Sequence, residues 1–322
     1  METTFQNYYS YSTGIERFGA SIPFYYNPKV QDQYNFKAAS ITKEEWEDAG
    51  NTGFPYSPFA MTYNHQGKKI LLMRIPSYNV TSKEATRNVK TYEMLLKKYQ
   101  DQVDVLVLDQ THNPGGSVSY VQDLAELFLK SPGPGIAFAP RADREWLRRW
   151  NSFLSEPDLS IFEKNFIQQI YREIDEANDA GDFLAPPIPL TSISGTIPGK
   201  YVWQKPVLLL IDELCGSGGD AFPMIMKGNQ AATLWGHRTS GLGGNVDAIS
   251  PLPITKADLK LTRSLFFLAN ANDTIPDGPL IENNGVEPDV NRDYGYQDLM
   301  EGYTSYIQDF SDYAVGLASP AS

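Results

Sequence analysis

Two segments of this chain are built alike, and together they restrict the fold more than any other feature. Val103 to Leu108 is an apolar run that stops at Asp109-Gln110-Thr111-His112-Asn113-Pro114-Gly115-Gly116-Ser117. Val118, Val121, Leu124, Ala125 and Phe128 then recur at helical spacing. Lys205-Pro206-Val207-Leu208-Leu209-Leu210-Ile211-Asp212 is a second apolar run, followed by Glu213-Leu214-Cys215-Gly216-Ser217-Gly218-Gly219-Asp220 and by Ala221, Phe222, Met224, Ile225 and Met226. Apolar runs without alternation are strands covered on both faces, as in parallel sheets. Each is followed by a glycine turn and a helix, so the pattern predicts an α/β core with a parallel sheet and flanking helices. Lys69 to Ile75 adds a strand. Ser82 to Tyr99 adds an amphipathic helix with Val89, Tyr92, Leu95 and Leu96 as its inner stripe.

The turns carry the chemistry. Two glycines let the backbone approach a ligand and take positive φ, which suits a turn that holds a developing oxyanion. The plainer reading of Asn113-Pro114-Gly115-Gly116 is a tight turn before a helix start. Ser217 sits among glycines at a strand-to-helix turn, where the helix N-terminus favours negative charge. That is the setting of a nucleophile on an elbow, although the Gly-x-Ser-x-Gly pattern is missing. The plainer reading there is a capping box, since Ser217 and Asp220 have its spacing.

Composition excludes several classes. Lysine and arginine total 27 against 39 acidic residues, a net charge of −12. Phosphate neutralisation needs a basic surface, so nucleic acid is not the expected partner. No apolar run reaches the length of a membrane span, and the first twenty residues lack the basic start and apolar centre of a signal peptide. The single cysteine, Cys215, allows no internal disulfide and reads as a small buried residue. Nothing in the pattern calls for a metal or cofactor.

The organisation follows. Residues 1–66 are rich in Tyr, Phe and Pro with poor periodicity, and read as an N-terminal segment that needs the core or a missing partner. Residues 67–322 read as the core. Within it, residues 131–205 break the strand–helix alternation, with helices expected at Arg144 to Leu154 and Ile161 to Ile174. This helical insertion is either a solvated decoration or a lid or substrate-channel wall. Short strands are expected at Ala231 to Trp235, Asn245 to Ile249 and Leu259 to Leu268. One C-terminal helix is expected at Gln297 to Leu317, with Leu299, Tyr303, Ile307 and Phe310 facing inward.

The two turns, with Ala232-Thr233-Leu234-Trp235-Gly236, Thr239-Ser240-Gly241-Leu242-Gly243-Gly244 and Ile281-Glu282-Asn283-Asn284-Gly285-Val286-Glu287-Pro288-Asp289, resemble the tail-specific (C-terminal processing) serine peptidases. The similarity runs from about Ile70 to the C-terminus and is greatest to the branch of the chlamydial protease-like activity factor. It implies a crotonase/ClpP-like core and a polypeptide substrate. It also implies Ser217 as nucleophile, and an oxyanion hole from the N–H of Gly218 with that of Gly116 or Gly115. Some members use a lysine in the Gly-Lys-Gly turn as base; here Leu242 holds that place and cannot take a proton. Others use serine, histidine and glutamate, which points to Glu282 as the acid that orients the histidine. In that branch the histidine comes from an N-terminal region, upstream of a PDZ-like domain. None of His65, His112 and His237 matches its motif. His112 is expected to brace its turn, with Asp220 supporting the other. The resemblance thus implies either a C-terminal catalytic fragment whose histidine-bearing region is missing, or a relative that has lost its base. A fragment would also lack any export signal, which leaves the compartment open. The branch suggests a homodimer. Two other functions compete: an inactive pseudoprotease or peptide-binding scaffold, and a crotonase-like acyl-CoA enzyme. The acidic charge and the Ser217 match count against the latter.

Overall fold

The computed structural model describes residue 25 and residues 27–52, 59–155, 161–189, 198–249, 251–269 and 280–319. Most of the expected N-terminal segment before Asn27 lies outside them. The described chain runs α1 (Pro28–Tyr34), β1 (Lys37–Ala38), α2 (Lys43–Asp48), β2 (Ala60–His65), β3 (Lys68–Arg74), α3 (Ser82–Tyr99), β4 (Val105–Asp109) and α4 (Val118–Ala125). It continues through β5 (Gly135–Pro140), α5 (Arg144–Phe153), α6 (Ile161–Ala180), β6 (Ile188–Pro189), β7 (Val207–Ile211) and α7 (Gly218–Gly228). It ends with β8 (Thr233–Gly236), β9 (Gly244–Ile249), β10 (Leu259–Ala269), β11 (Val290–Asn291), α8 (Tyr296–Glu301) and α9 (Thr304–Ala318). The chain divides into two compact units, residues 1–132, 197–241 and 285–322 in one and residues 133–196 and 242–284 in the other.

The first unit holds a seven-stranded sheet in the order β1-β2-β3-β4-β7-β8-β11. From β3 to β11 the pairs are parallel, and β1 and β2 join antiparallel at one edge. The steps from β3 through β4 and β7 to β8 go one way across the sheet, so right-handed crossovers put α3, α4 and α7 on one face. Val105, Val107, Leu208 and Leu210 face the other side, where they share a core with Tyr306, Ile307 and Phe310 of α9. Helix α3 opens with a capping box in which Thr81 and Glu84 satisfy each other's backbone N–H.

Several sequence expectations are revised here. Residues before Ile70, read as a segment of poor periodicity, contribute β1 and β2; β2 turns into β3 at Gln66 and Gly67, which both take positive φ (45° and 77°). The single C-terminal helix is two, broken at Gly302 and Tyr303, whose φ values are 72° and 65°. Leu299, expected inward, is 58% exposed because the break re-aims α8.

The second unit is a four-stranded antiparallel sheet, β6-β5-β10-β9, with the helical pair α5 and α6. Residues 131–205 therefore contribute strands as well as helices: β5 pairs with β10 from Pro140–Ser264 to Gly135–Ala269. Trp146 and Leu147 of α5 pack with Ile170 and Ile174 of α6. No helix among the described residues is long and apolar enough to cross a membrane.

Candidate active site

Strands β4 and β7 are neighbours, so the turns that follow them emerge side by side at their C-terminal ends. In the first turn Gly115 and Gly116 have φ of 98° and 141°. A Cβ on Gly116 would lie 2.0 Å from the Tyr78 carbonyl carbon, and one on Gly115 would lie 2.7 Å from both Ser217 Cβ and Gly218 N. Only glycine fits either position. The Asn113 side chain sets the bend, accepting from Gly115 N–H at 2.9 Å and donating to the Ile75 carbonyl at 2.9 Å. Its own carbonyl accepts from Gly216 N–H at 3.0 Å, which ties the first turn to the second.

Ser217 has φ 55° and ψ −111°, a strained backbone for a residue with a side chain. It starts α7 without capping it, since its hydroxyl makes no capping hydrogen bond. The capping-box reading therefore does not describe this turn. Asp220 is fully buried and turned elsewhere: its Oδ1 accepts from the Thr239 hydroxyl at 2.5 Å and from Gly241 N–H at 2.9 Å. Thr239 Oγ1 in turn accepts from Val286 N–H at 2.8 Å. Asp220 thereby fixes the segment that includes Gly241.

The N–H groups of Gly116 and Gly218 have no acceptor among the described residues. They are close, because a Cβ built on Gly218 would lie 3.1 Å from Gly116 N. Gly115 N–H is committed to Asn113, so Gly116 is the unengaged donor of the first turn. A half-buried hydroxyl on a strained elbow beside two free N–H groups can attack a carbonyl and hold the oxygen that becomes negative.

Cys215 is buried and its thiol contacts the Gln110 carbonyl at 3.1 Å and Asp212 Oδ1 at 3.2 Å. Burial, and then the Asp212 charge, push its pKa well above the ordinary thiol value, so it is not a thiolate nucleophile. The histidines are each engaged. His65 lies opposite Lys68 in the hairpin, at the end of β3 far from the glycine turn, with Nε2 2.5 Å from Asp312. His237 Nδ1 lies 3.2 Å from the Arg238 carbonyl. His112, at φ 60°, has Nε2 3.2 Å from the Tyr294 hydroxyl, which donates its one proton to Asp212 Oδ2 at 2.8 Å. His112 Nε2 thus faces a hydroxyl oxygen whose proton is already given to Asp212.

Glu282 belongs to the second unit. It is half-buried, Oε1 accepts from the Thr262 hydroxyl at 2.9 Å, and among the described residues Oε2 has no donor. Gly243 packs under it, since a Cβ there would be 2.5 Å from Glu282 N.

Sequence reasoning gave no role to Gln110, Asp109, Asp212 or Tyr294. Gln110 Oε1 accepts from the Tyr78 hydroxyl at 3.0 Å, and its Nε2 donates to the Gly219 carbonyl at 2.8 Å. Asp109 is buried against Arg74 at 3.1 Å, with the Tyr25 hydroxyl at 3.0 Å. One signal was present: each apolar strand ends in an aspartate, Asp109 or Asp212, directly before its turn.

A family model described as peptidase family S41 matches residues 69–292. A Chlamydia pneumoniae protein is 28% identical over 271 residues, covering 74% of this chain and 42% of its own length. An uncharacterised Chlamydia muridarum protein is 27% identical over 274 residues, covering 76% and 44%. The chain thus spans less than half the length of these relatives. Among solved structures, mature CPAF is similar at a TM-score of 0.64 and 23% identity, over 81% of this chain and 55% of that one. A putative peptidase from Parabacteroides merdae is similar at a TM-score of 0.51 and 16% identity, over 90% and 73%. With its matched span covering both glycine turns and the Glu282 element, the chain belongs to peptidase family S41.

Proposed function

We propose that this chain carries the nucleophile and the oxyanion donors of a serine endopeptidase, and that its base comes from a region outside the chain. The observation that carries this reading is Ser217: a strained, uncapped serine beside the free N–H groups of Gly116 and Gly218. Ser217 Oγ adds to the scissile carbonyl and its proton passes to an imidazole. The carbonyl oxygen becomes negative and is held by the two N–H groups. Collapse expels the amine, which takes the proton, and water then releases the acyl group by the same steps. Glu282, whose Oε2 has no donor among the described residues, orients the imidazole and stabilises the imidazolium. Leu242 in place of a lysine counts against a serine–lysine dyad at that turn.

A second reading, a pseudoprotease or peptide-binding scaffold, is favoured by one observation: His65 and His112 are held by other partners and His237 turns to its neighbour's carbonyl. The chain alone is therefore expected to have little peptidase activity on an unstructured protein. Loss of a triad base leaves roughly a thousand- to ten-thousand-fold advantage over water, enough for slow turnover of activated esters. The test assays the purified chain, then adds the upstream histidine-bearing region of a chlamydial relative in trans. Ser217-dependent cleavage only with the added region supports the proposal, and Glu282→Gln should then reduce turnover with the fold intact. Robust cleavage by the chain alone overturns the external base. No cleavage and no fluorophosphonate labelling of Ser217 in either case supports the scaffold.

A further inference from the structure

The two oxyanion donors come from separate turns, so something must set their spacing. Asp212, the last residue before the second turn, is 1% exposed and bonded to both. Its Oδ1 accepts from His112 N–H of the first turn at 2.8 Å and from Leu214 N–H of the second at 3.2 Å. Oδ1 also lies 3.2 Å from the Cys215 thiol, and Oδ2 accepts from the Tyr294 hydroxyl at 2.8 Å. His112 Nδ1 lies 3.4 Å from Oδ2. Each anchored N–H is four residues before a free one: His112 before Gly116, and Leu214 before Gly218.

We infer that Asp212 is the positioning residue of the oxyanion pair, with His112 and Tyr294 holding its carboxylate in place; this rests on the peptidase reading above. One oxygen shared by the two turns fixes their separation in a way that two independent bonds would not. His112 is held at φ 60°, a conformation that side chains rarely adopt, and its N–H is bonded to Oδ1 in that conformation. Tyr294 comes from the segment after β11 and closes the network from a third direction. Burial, then the Asp212 charge, push the Tyr294 phenol well above its ordinary pKa, so it remains a donor. The carboxylate touches neither substrate nor Ser217. Its effect on rate acts through the placement of Gly116 and Gly218.

The test uses the chain labelled with 15N-glycine, with p-nitrophenyl acetate as the probe of turnover. Asp212→Asn and Tyr294→Phe should move the Gly116 and Gly218 amide resonances and leave those of Gly67 and Gly181 in place. Asp212→Asn should lower kcat for the ester about tenfold, short of the roughly hundred- to thousand-fold loss on removing an oxyanion donor outright, with KM within about twofold. Gly116 and Gly218 resonances that stay put in both variants overturn the inference. So does a uniform shift of all glycines with a fall in melting temperature, which marks a merely structural role. If Asp212→Asn does not fold, Tyr294→Phe decides, since it removes one hydroxyl from a half-buried ring. A wild-type chain without Ser217-dependent ester turnover counts against the peptidase reading, and the glycine resonances still decide the role of Asp212.

Discussion

At the residue scale, the site stores strain where its chemistry is proposed. Ser217 sits at φ 55° and ψ −111°, and nothing in its own hydrogen bonding requires a side chain there. Ser217→Gly should therefore be more stable than Ser217→Ala by about 1 kcal/mol, because glycine relieves a backbone that alanine keeps strained. Urea titration of the two variants checks this, and equal midpoints would show that the elbow is not strained. Gly116→Ala is the opposite case. Its Cβ would meet the Tyr78 backbone at 2.0 Å, so the turn must shift. Ser217-dependent ester turnover should fall by a factor of about a hundred or more, the loss expected for one oxyanion donor. The glycines and the serine were legible as a pair of turns, because φ requirements leave a mark on residue type. The commitment of Gly115 N–H to Asn113 was not legible, since it depends on a side-chain rotamer.

At the element scale, α7 contains Pro223, which has no N–H to give to the carbonyl of Gly219. Gln110 from the first turn fills that vacancy at 2.8 Å. A proline in the serine helix thus leaves an acceptor that the first glycine turn uses, and turn and helix become one unit. Gln110→Leu should cost about 1–3 kcal/mol by leaving a buried carbonyl unpaired. In a Pro223→Ala background the cost should be smaller, because residue 223 can then donate to Gly219 itself. A double-mutant cycle by thermal unfolding measures the difference, and equal costs in both backgrounds would separate the two residues. Periodicity located helices α3, α5, α6 and α7 and strands β4, β7, β8, β9 and β10. It missed β1 and β2, whose flanking aromatic-rich sequence has no clean alternation and whose pairing depends on the neighbouring β3 edge.

At the scale of the whole molecule, acid stability depends in part on how the C-terminal segment is fastened. Arg292 grips Asp298 with two hydrogen bonds, at 2.9 and 2.7 Å, and holds Asp309 at 2.8 Å. Asp298 also accepts from Gly295 N–H and from the Ser305 hydroxyl, each at 2.8 Å. Arg292 first, aided by the Gly295 and Ser305 bonds, lowers the Asp298 pKa from 3.8 to about 2. A carboxylate with a depressed folded-state pKa stabilises the protein above its unfolded-state value, and this stabilisation is lost as pH falls through the folded-state value. The contribution, about 2 kcal/mol, should be complete above pH ~4 and vanish as the pH drops toward ~2. Asp298→Asn should lower stability at pH 7 and narrow its gap to wild type at pH 2 to 3, read as urea midpoints. A gap that stays constant across that range would remove the ion pair from the acid response.

The amino-acid sequence by itself determined the class of fold, the presence of two strand–turn–helix units, and the residues of the turns. Burial of apolar strands, helical periodicity and the conformational freedom of glycine are local properties, and they leave local marks. Only the tertiary structure decided which of those residues are spoken for. It put Asp220 on Thr239 and Gly241 instead of in a capping box, and gave both ring nitrogens of His112 to Tyr294 and Asp212 as neighbours. It left the N–H groups of Gly116 and Gly218 without acceptors among the described residues. Hydrogen bonds between residues 100 or more positions apart, such as His112 to Asp212 and Tyr294 to His112, depend on how turns from separate strands meet. That meeting is set by sheet order and side-chain packing, and no window of sequence contains it.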